Sequence, residues 1–473
     1  MKSVTSASAS DVTGAAPPRF DWPLAYEAEK LLRQHIAAFL EKNSFARHLA
    51  ERMRNKTATD FFEWVDHIVL SAEEQGGLHE AGFLCYEGAE TPNGEPVLEH
   101  PQATLPSVLL VRSANATRSL AVKPEFVADF IAAHNLSTEP EGESLSRYRR
   151  LKVWEEKGTV LEAIERHAYR GFVTAPLPDN QLKTILKAKE LWHTRTRRFA
   201  NDADGFRAAN EILEAVIALV GRDRACELFF EEERAYWQSR NRAGRVQKCR
   251  QDSLGLGWGN HDHHTYRCSR EHFADLIGFL VKLGFHRRER FYAGAEAGWG
   301  AQVLEQPMAG IVVFADVDLT PEETEIDFSV GKLLTVQKLG TVGLWVGLHG
   351  ESFLEAGMHH LEARFDFELL RQQLQREGVN TMKPFSDFEF LRQAFTEGER
   401  WPVRRERAER LLNANLITRE QFEQFVRDGA IGSHLENLQR HGGFKGFNQK
   451  SVSAVIAATD PRKHQVGHLP AAA

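Results

Sequence analysis

Apolar residues recur at helical spacing through most of the first half of the chain and give way to short alternating runs in the second. Asp21-Trp22-Pro23 offers a cap-type residue and a proline suited to a first turn, so a helix is predicted to start near residue 22. Leu24 to Arg54 continues it at helical intervals. Phe61 to Leu70 is a short apolar run that fits helix or strand, and His67 within it reads as structural. Leu105 to Val111 reads as a buried strand and Pro124 to Leu136 as a short helix. From Ser144 the segments become long, charged and helix-periodic: Ser144 to His167, Asn180 to Phe199 and Asp204 to Arg240. Residues 19–250 are therefore expected to be mostly helical, with a small strand-containing piece near 60–125.

A different rhythm begins after Gly255, Gly257 and Gly259. A strand is predicted over His261 to Cys268, a helix over His272 to Leu283 stopped by Gly284, and strands over His286 to Tyr292, Ala301 to Leu304 and Ile311 to Val317. The same opening recurs at Met358 to Phe365, followed by a helix over Phe367 to Glu377 and then Gly378. Two units that each begin with a histidine-bearing strand and a helix imply a duplicated architecture. Phe385 to Phe395 and Arg404 to Leu412 read as helices. Thr418 to Arg427 reads as another, with Thr418 and Gln421 as a capping box, and Ile431 to Arg440 as a strand. The expected fold class is α+β: a disordered tail over 1–18, a helical region over 19–250, β-α-β units over 251–330 and 331–460, and a loose tail over 461–473.

Composition removes several alternatives. The chain of 473 residues is 42% hydrophobic and 26% charged, ordinary for a soluble protein with a sizeable core. No apolar run is long enough to span a bilayer, and the first residues lack a signal-peptide core, so a cytoplasmic location is expected. A net charge of -7 gives no general attraction to nucleic acid; the basic run Arg240 to Arg250 reads as a solvated helix end. Cys85, Cys226, Cys249 and Cys268 show no C-x-x-C pairing, which fits a reducing compartment and excludes a thiolate zinc site. The glycine run precedes a strand, the opposite order to a phosphate-binding loop.

The chemistry concentrates in Asn260 to Arg267. Strand alternation puts His261, His263, Thr265 and Arg267 on one face and Asp262, His264, Tyr266 and Cys268 on the other. In the second unit His360, Glu362 and Arg364 share a polar face, while His359 points with Leu361, Ala363 and Phe365 on the apolar side. Two neutral imidazoles and one carboxylate hold Fe(II) or a similar divalent ion and leave positions open for substrate and oxygen. His263, His360 and an acid from a third strand can supply that set. Asp262 faces away from His263, so the acid must come from elsewhere: Glu436 first, then Glu362, Glu305 and Asp316. Arg267, four residues along the strand from His263, can clamp a substrate carboxylate in two parallel hydrogen bonds.

Asp262-His263-His264-Thr265-Tyr266-Arg267 resembles the D-H-x-A-F-R segment of the 2-oxoadipate dioxygenase/decarboxylase (hydroxyglutarate synthase) family, whose core is vicinal-oxygen-chelate-like. Met358-His359-His360 resembles the segment of that family's second histidine, with His359 in place of an asparagine. Gly432 to Arg440 resembles its G-S-Y-I-E-F-x-E-R segment in spacing, and Gly443-Phe444-Lys445-Gly446-Phe447-Asn448 its G-F-x-x-x-N segment beside the site. The resemblance covers residues 255–460. It implies metal ligation by His263, His360 and Glu436, substrate contacts from Arg267 and Asn448, and Fe(II) as cofactor, with Ni, Zn, Co or Mn able to replace it. It also implies O2 and a small 2-oxo acid as partners, with decarboxylation and hydroxylation. An oxygen-independent metal isomerase or lyase and an inactive partner-binding protein stay open, as does a homo-oligomer.

Overall fold

The computed structural model describes residues 21–112, 118–292, 298–448 and 460–462. The tail expected over 1–18, and all but two residues of that over 461–473, lie outside them. Two mixed sheets organise the chain. The first has seven strands: β1 (Val65–Ser71), β2 (Leu84–Cys85), β3 (Val97–Glu99), β4 (Ser107–Val111), β5 (Arg118–Val122), β6 (Tyr148–Glu156) and β7 (Thr159–Arg166), in the order β2-β3-β4-β1-β5-β7-β6. This corrects the expectation of a small strand piece. Ser144 to His167, whose periodicity predicts a helix, is the β6–β7 hairpin. Its two-residue turn, Lys157-Gly158, has φ of 47° and 71°, the left-handed pair that a tight hairpin turn requires. Charges at nearly every other position of this stretch satisfy either period, so the turn dipeptide was the deciding signal.

Helices pack on both sheets: Tyr26–Lys42, Ser44–Thr57 and Val127–His134 share the core of the first, while Asp202–Val220 and Arg222–Ser239 share that of the second. Leu24 to Arg54 forms two, Tyr26–Lys42 and Ser44–Thr57, separated at Asn43, whose side chain accepts from the Ala46 amide at 3.0 Å. Asp204 to Arg240 likewise divides, into Asp202–Val220 and Arg222–Ser239, at Gly221. The basic run forms the helix Arg242–Asp252, where Arg242 donates to the Glu377 and Gly378 carbonyls and Arg250 to that of Lys56. Gly255 and Gly257 have φ of 65° and 55°, and a Cβ on Gly255 would lie 2.5 Å from Asp129 O and Phe130 Cα. The glycine run is thus a seam where backbones meet.

The second sheet comprises β8 (His261–Arg267), β9 (His286–Tyr292), β10 (Trp299–Gln306), β11 (Ile311–Asp318), β12 (His360–Arg364), β13 (Ser386–Phe388), β14 (Leu391–Phe395), β15 (Glu399–Trp401) and β16 (Ala430–Arg440). Its order is β13-β14-β16-β12-β8-β11-β10-β9, with β15 alongside β16. Each half is a β-α-β-β-β unit with the same permutation: β8 beside its last strand β11, then β10 and β9; β12 beside its last strand β16, then β14 and β13. The two opening strands meet antiparallel at the centre. This is the paired-unit architecture expected from the duplicated pattern. One element differs: Phe385 to Phe395 is the β13–β14 hairpin instead of a helix, with Leu391, Gln393 and Phe395 at strand spacing.

Alternation in β11 assigns the two faces of the sheet. Ile311, Val313, Ala315 and Val317 join the core formed with the helix Phe273–Lys282, which buries Phe273, Leu276, Ile277, Phe279 and Leu280. Full burial of a Val, Ile, Leu or Phe side chain among them contributes roughly 1.5–3 kcal/mol. Phe314 and Asp316 point the other way, into a cavity. Thr418 and Gln421 form the expected capping box on the helix Arg419–Asp428. Among the described residues no helix is long and apolar enough to cross a membrane.

β16 packs closely enough to test. A Cβ on Gly432 would lie 2.0 Å from the Trp401 indole, whereas one on Gly76 meets nothing within 4 Å. Gly432→Ala is expected to lower stability by about 1–3 kcal/mol, seen as a lower urea midpoint, while Gly76→Ala leaves it unchanged or slightly higher. Equal midpoints for the two variants would contradict this packing.

Candidate metal centre

Three neighbouring strands carry ligand-type side chains at one level. Glu436 on β16 is the register partner of Glu362 on β12, which in turn pairs with His263 on β8. Paired residues project from the same face of a sheet, and adjacent strands lie about 4.8 Å apart. One ligand atom from each of His263, Glu362 and Glu436 accordingly lies within 4.8 Å of the others, and all three residues are buried. His360, two residues from Glu362 on the same face, places Nδ1 3.6 Å from Glu362 Oε1, while His263 Nε2 lies 3.7 Å from the same oxygen. Glu362 therefore sits between the two imidazoles.

A bulge fixes which side of β8 faces inward. His264 pairs with Leu361 and His263 with Glu362, but the next partner of β12, Ala363, faces His261, so Asp262 is an extra residue. This corrects the simple alternation: His261 leaves the cavity face and its ring stands 5.4 Å from that of His264. Asp262 is not a ligand candidate in this arrangement, but it does reach His263. Nδ1–H of His263 donates to Asp262 Oδ1 at 3.1 Å, which turns Nε2 toward Glu362. Arg440, on β16 itself, holds the Asp262 carboxylate through Nε at 3.2 Å and Nη2 at 2.9 Å.

The cavity is lined by His263, Thr265, Asp316, His360, Glu362, Gln393, Glu436 and Asn448, with a wall of Phe291, Trp299, Phe314, Phe385, Phe395 and Phe447. Its volume, about 60 Å³, holds a few molecules of water size, since one water needs roughly 10–15 Å³ on the same measure. Of the residues expected at the site, His263, His360, Glu436 and Asn448 come together here. Arg267 is not on the wall. Its guanidinium is buried 5.6 Å from the Trp345 ring centre, with Nε and Nη1 lacking hydrogen-bond partners, and Asp316 is its register partner on β11. Asp316, a reserve acid candidate, lines the cavity, whereas Glu305 lies elsewhere, paired with Lys445 and Arg288. Glu362 was legible only as a reserve, because its place in the row depends on pairing with β16.

Protonation follows from burial. Desolvation lowers the pKa of His263 and His360, leaving both imidazoles neutral and able to donate a lone pair. Desolvation, together with the charge of Glu436, pushes the Glu362 carboxyl well up. Burial also raises Glu436 to about 8 against a hydrogen bond from Gln393 at 2.8 Å, and Asp316 to about 7 against the nearby Arg267. Thr265 donates to Glu362 Oε1 at 2.8 Å. Glu362 Oε2 and both ring nitrogens of His360 have no hydrogen-bond partner in the protein. Neutral imidazoles, adjoining carboxyls and orphaned buried donor atoms fit a divalent cation of the Fe, Mn, Co, Ni or Zn type.

No protein-family profile matches the sequence, and no curated protein matches it. Among solved structures, a mutant 4-hydroxymandelate synthase from Streptomyces coelicolor is 11% identical over 86% of this chain and 100% of that one, with a TM-score of 0.29. Methylmalonyl-CoA epimerase from Mycobacterium tuberculosis is 12% identical over 38% of this chain and 88% of that one, at 0.23. The Mn(II)-bound glyoxalase from Novosphingobium aromaticivorans is 9% identical over 82% and 84%, at 0.20. Likeness at these scores says nothing about activity.

The raised carboxyl pKa values give a signed expectation for the metal-free protein. A group whose folded pKa exceeds its unfolded value stabilises fully at low pH, and that stability is lost as pH rises through the folded pKa. With chelator present, stability should fall as pH rises from the ordinary carboxylate range to about 8, and Glu436→Gln should flatten the slope. Identical slopes for the two proteins in urea titrations would rule out a buried, protonated Glu436.

Proposed function

We propose that the chain is a divalent-metal enzyme, an Fe(II)-dependent dioxygenase acting on a 2-oxo acid or related small carboxylate with decarboxylation and hydroxylation. The observation that supports it is the His263–Glu362–Glu436 row, with His360 beside it, at the floor of an aromatic cavity. His263 and Glu436 hold the ion, and β12 supplies the third protein ligand from His360 or Glu362. When bound, the metal supplies oxygen activation and polarisation of the substrate's oxo-acid group.

The remaining work belongs to the chain. Asp262 and Arg440 fix the His263 ring before the ion arrives. The phenyl wall keeps bulk water from the reacting atoms. Thr265, Gln393 and Asn448 provide the polar contacts that orient a small ligand. Arg267, a register partner of Asp316 that does not line the cavity, is assigned to the substrate's carboxylate through its charge. Because burial raises Asp316 to about 7, its charge only partly cancels that of the guanidinium near neutral pH.

The pair of carboxyls also favours a second reading. If only one of Glu362 and Glu436 ligates, the other is a buried acid with a raised pKa, suited to moving a proton in an oxygen-independent isomerase or lyase.

Anaerobic Fe(II) loading followed by oxygen-electrode assays over a panel of 2-oxo acids separates the readings. O2 consumption matched by CO2 release, absent in His263→Ala together with its metal, supports the dioxygenase. Turnover under strict anaerobiosis selects the second reading, and full iron content in His263→Ala sinks both. Arg267→Ala should keep its metal and raise KM several-fold, since a buried guanidinium off the wall acts on the substrate's carboxylate only through its charge.

A further inference from the structure

A second cavity, about 410 Å³, lies between the first sheet and the turn joining β10 to β11, a volume typical of small-ligand sites. Its walls carry four cations, Lys123, Arg166, Arg170 and Lys445, and three carboxylates, Asp66, Glu99 and Glu305. The carboxylates are already engaged. Arg166 grips Asp66 through Nε to Oδ1 and Nη2 to Oδ2, each at 3.0 Å, and His67 donates to the same carboxylate at 2.8 Å. Arg170 pairs with Glu99, and Lys445 with Glu305 at 3.1 Å. Lys123 is left over. Among the described residues its ammonium has no salt bridge or side-chain hydrogen bond, although Asp66 is near enough to be felt.

Lys123 is half-buried in the cleft wall; its partial desolvation and the repulsion of three arginines, Arg166, Arg234 and Arg364, push its pKa down and leave its charge without a paired anion. An anion between Lys123 and Lys445 would remove both penalties. It would also span two parts of the chain. Lys445 belongs to the segment held to the first sheet by Thr104 N donating to Gly443 O at 2.8 Å, and the same segment carries Phe447 and Asn448 into the metal cavity.

We propose that this cleft is a binding site for a small dianion, phosphate or dicarboxylate, with Lys123 as its primary contact and Lys445 as its second. The site is separate from the metal centre and needs no metal to fill.

The test is thermal unfolding of the full chain with inorganic phosphate or succinate against chloride at equal ionic strength. The wild-type midpoint should rise saturably with at least one dianion, and the anion that saturates at lower concentration identifies the ligand's chemistry. Lys123→Met should weaken the apparent Kd by about tenfold or more, and Lys445→Gln should weaken it less. Lys56→Met, at an exposed lysine, should match the wild type. No saturable rise with either dianion, or an undiminished rise in Lys123→Met, would overturn the proposal. Should a variant melt early even in chloride, direct phosphate binding followed by 31P line width separates the same two outcomes.

Discussion

The register of β16, β12 and β8 is the constraint on which the site depends. Side chains alternate along a strand, so a slip of one residue in β8 would turn His264 inward and send His263 into the helical layer. Two devices prevent that. The bulge at Asp262 sets β8 against β12, and Arg440 ties Asp262 back to β16, the strand that carries Glu436. The arginine that orients His263 therefore also reports the alignment of the strand bearing the carboxylate. Pairing of the opening strands at the centre of the sheet makes this possible, because it brings two chain segments nearly a hundred residues apart into one row.

That row is unfavourable in the bare protein. Two carboxyls, Glu362 and Glu436, lie side by side in a buried, mainly apolar cavity, and each is pushed toward its neutral form. Neighbouring imidazoles are pushed toward neutrality as well, so none of the four groups carries the charge that would compensate another. A divalent ion would resolve the conflict by restoring both carboxylates and engaging lone pairs that have no other partner. The stability the fold forgoes around Glu362 and Glu436 is what makes it receptive to an ion.

Much of this was legible in the residues. The histidine-strand-then-helix opening at His261 and again at Met358 pointed to the two units; residue type put His263 and His360 forward with four acids, Glu436 first among them, and the family resemblance implied His263, His360 and Glu436 as the set. Two things were hidden for physical reasons. Glu362 rises to the centre of the cluster only through cross-strand pairing with Glu436, a non-local fact that no spacing encodes. His261 changes face because of a bulge, which leaves no mark in an alternating pattern. The first sheet was obscured differently: its β6–β7 hairpin is so heavily charged that its apolar positions fit a helix as well, and only Lys157-Gly158 marks the turn.

One divalent ion is expected in the row of His263, Glu362 and Glu436 beside His360. Anomalous diffraction at the iron edge, on crystals grown and loaded with Fe(II) without oxygen, tests it most directly. The account predicts a single strong peak bounded by His263, Glu436 and at least one of Glu362 and His360. Full iron occupancy elsewhere in the molecule, with no peak among His263, Glu362 and Glu436, overturns the assignment.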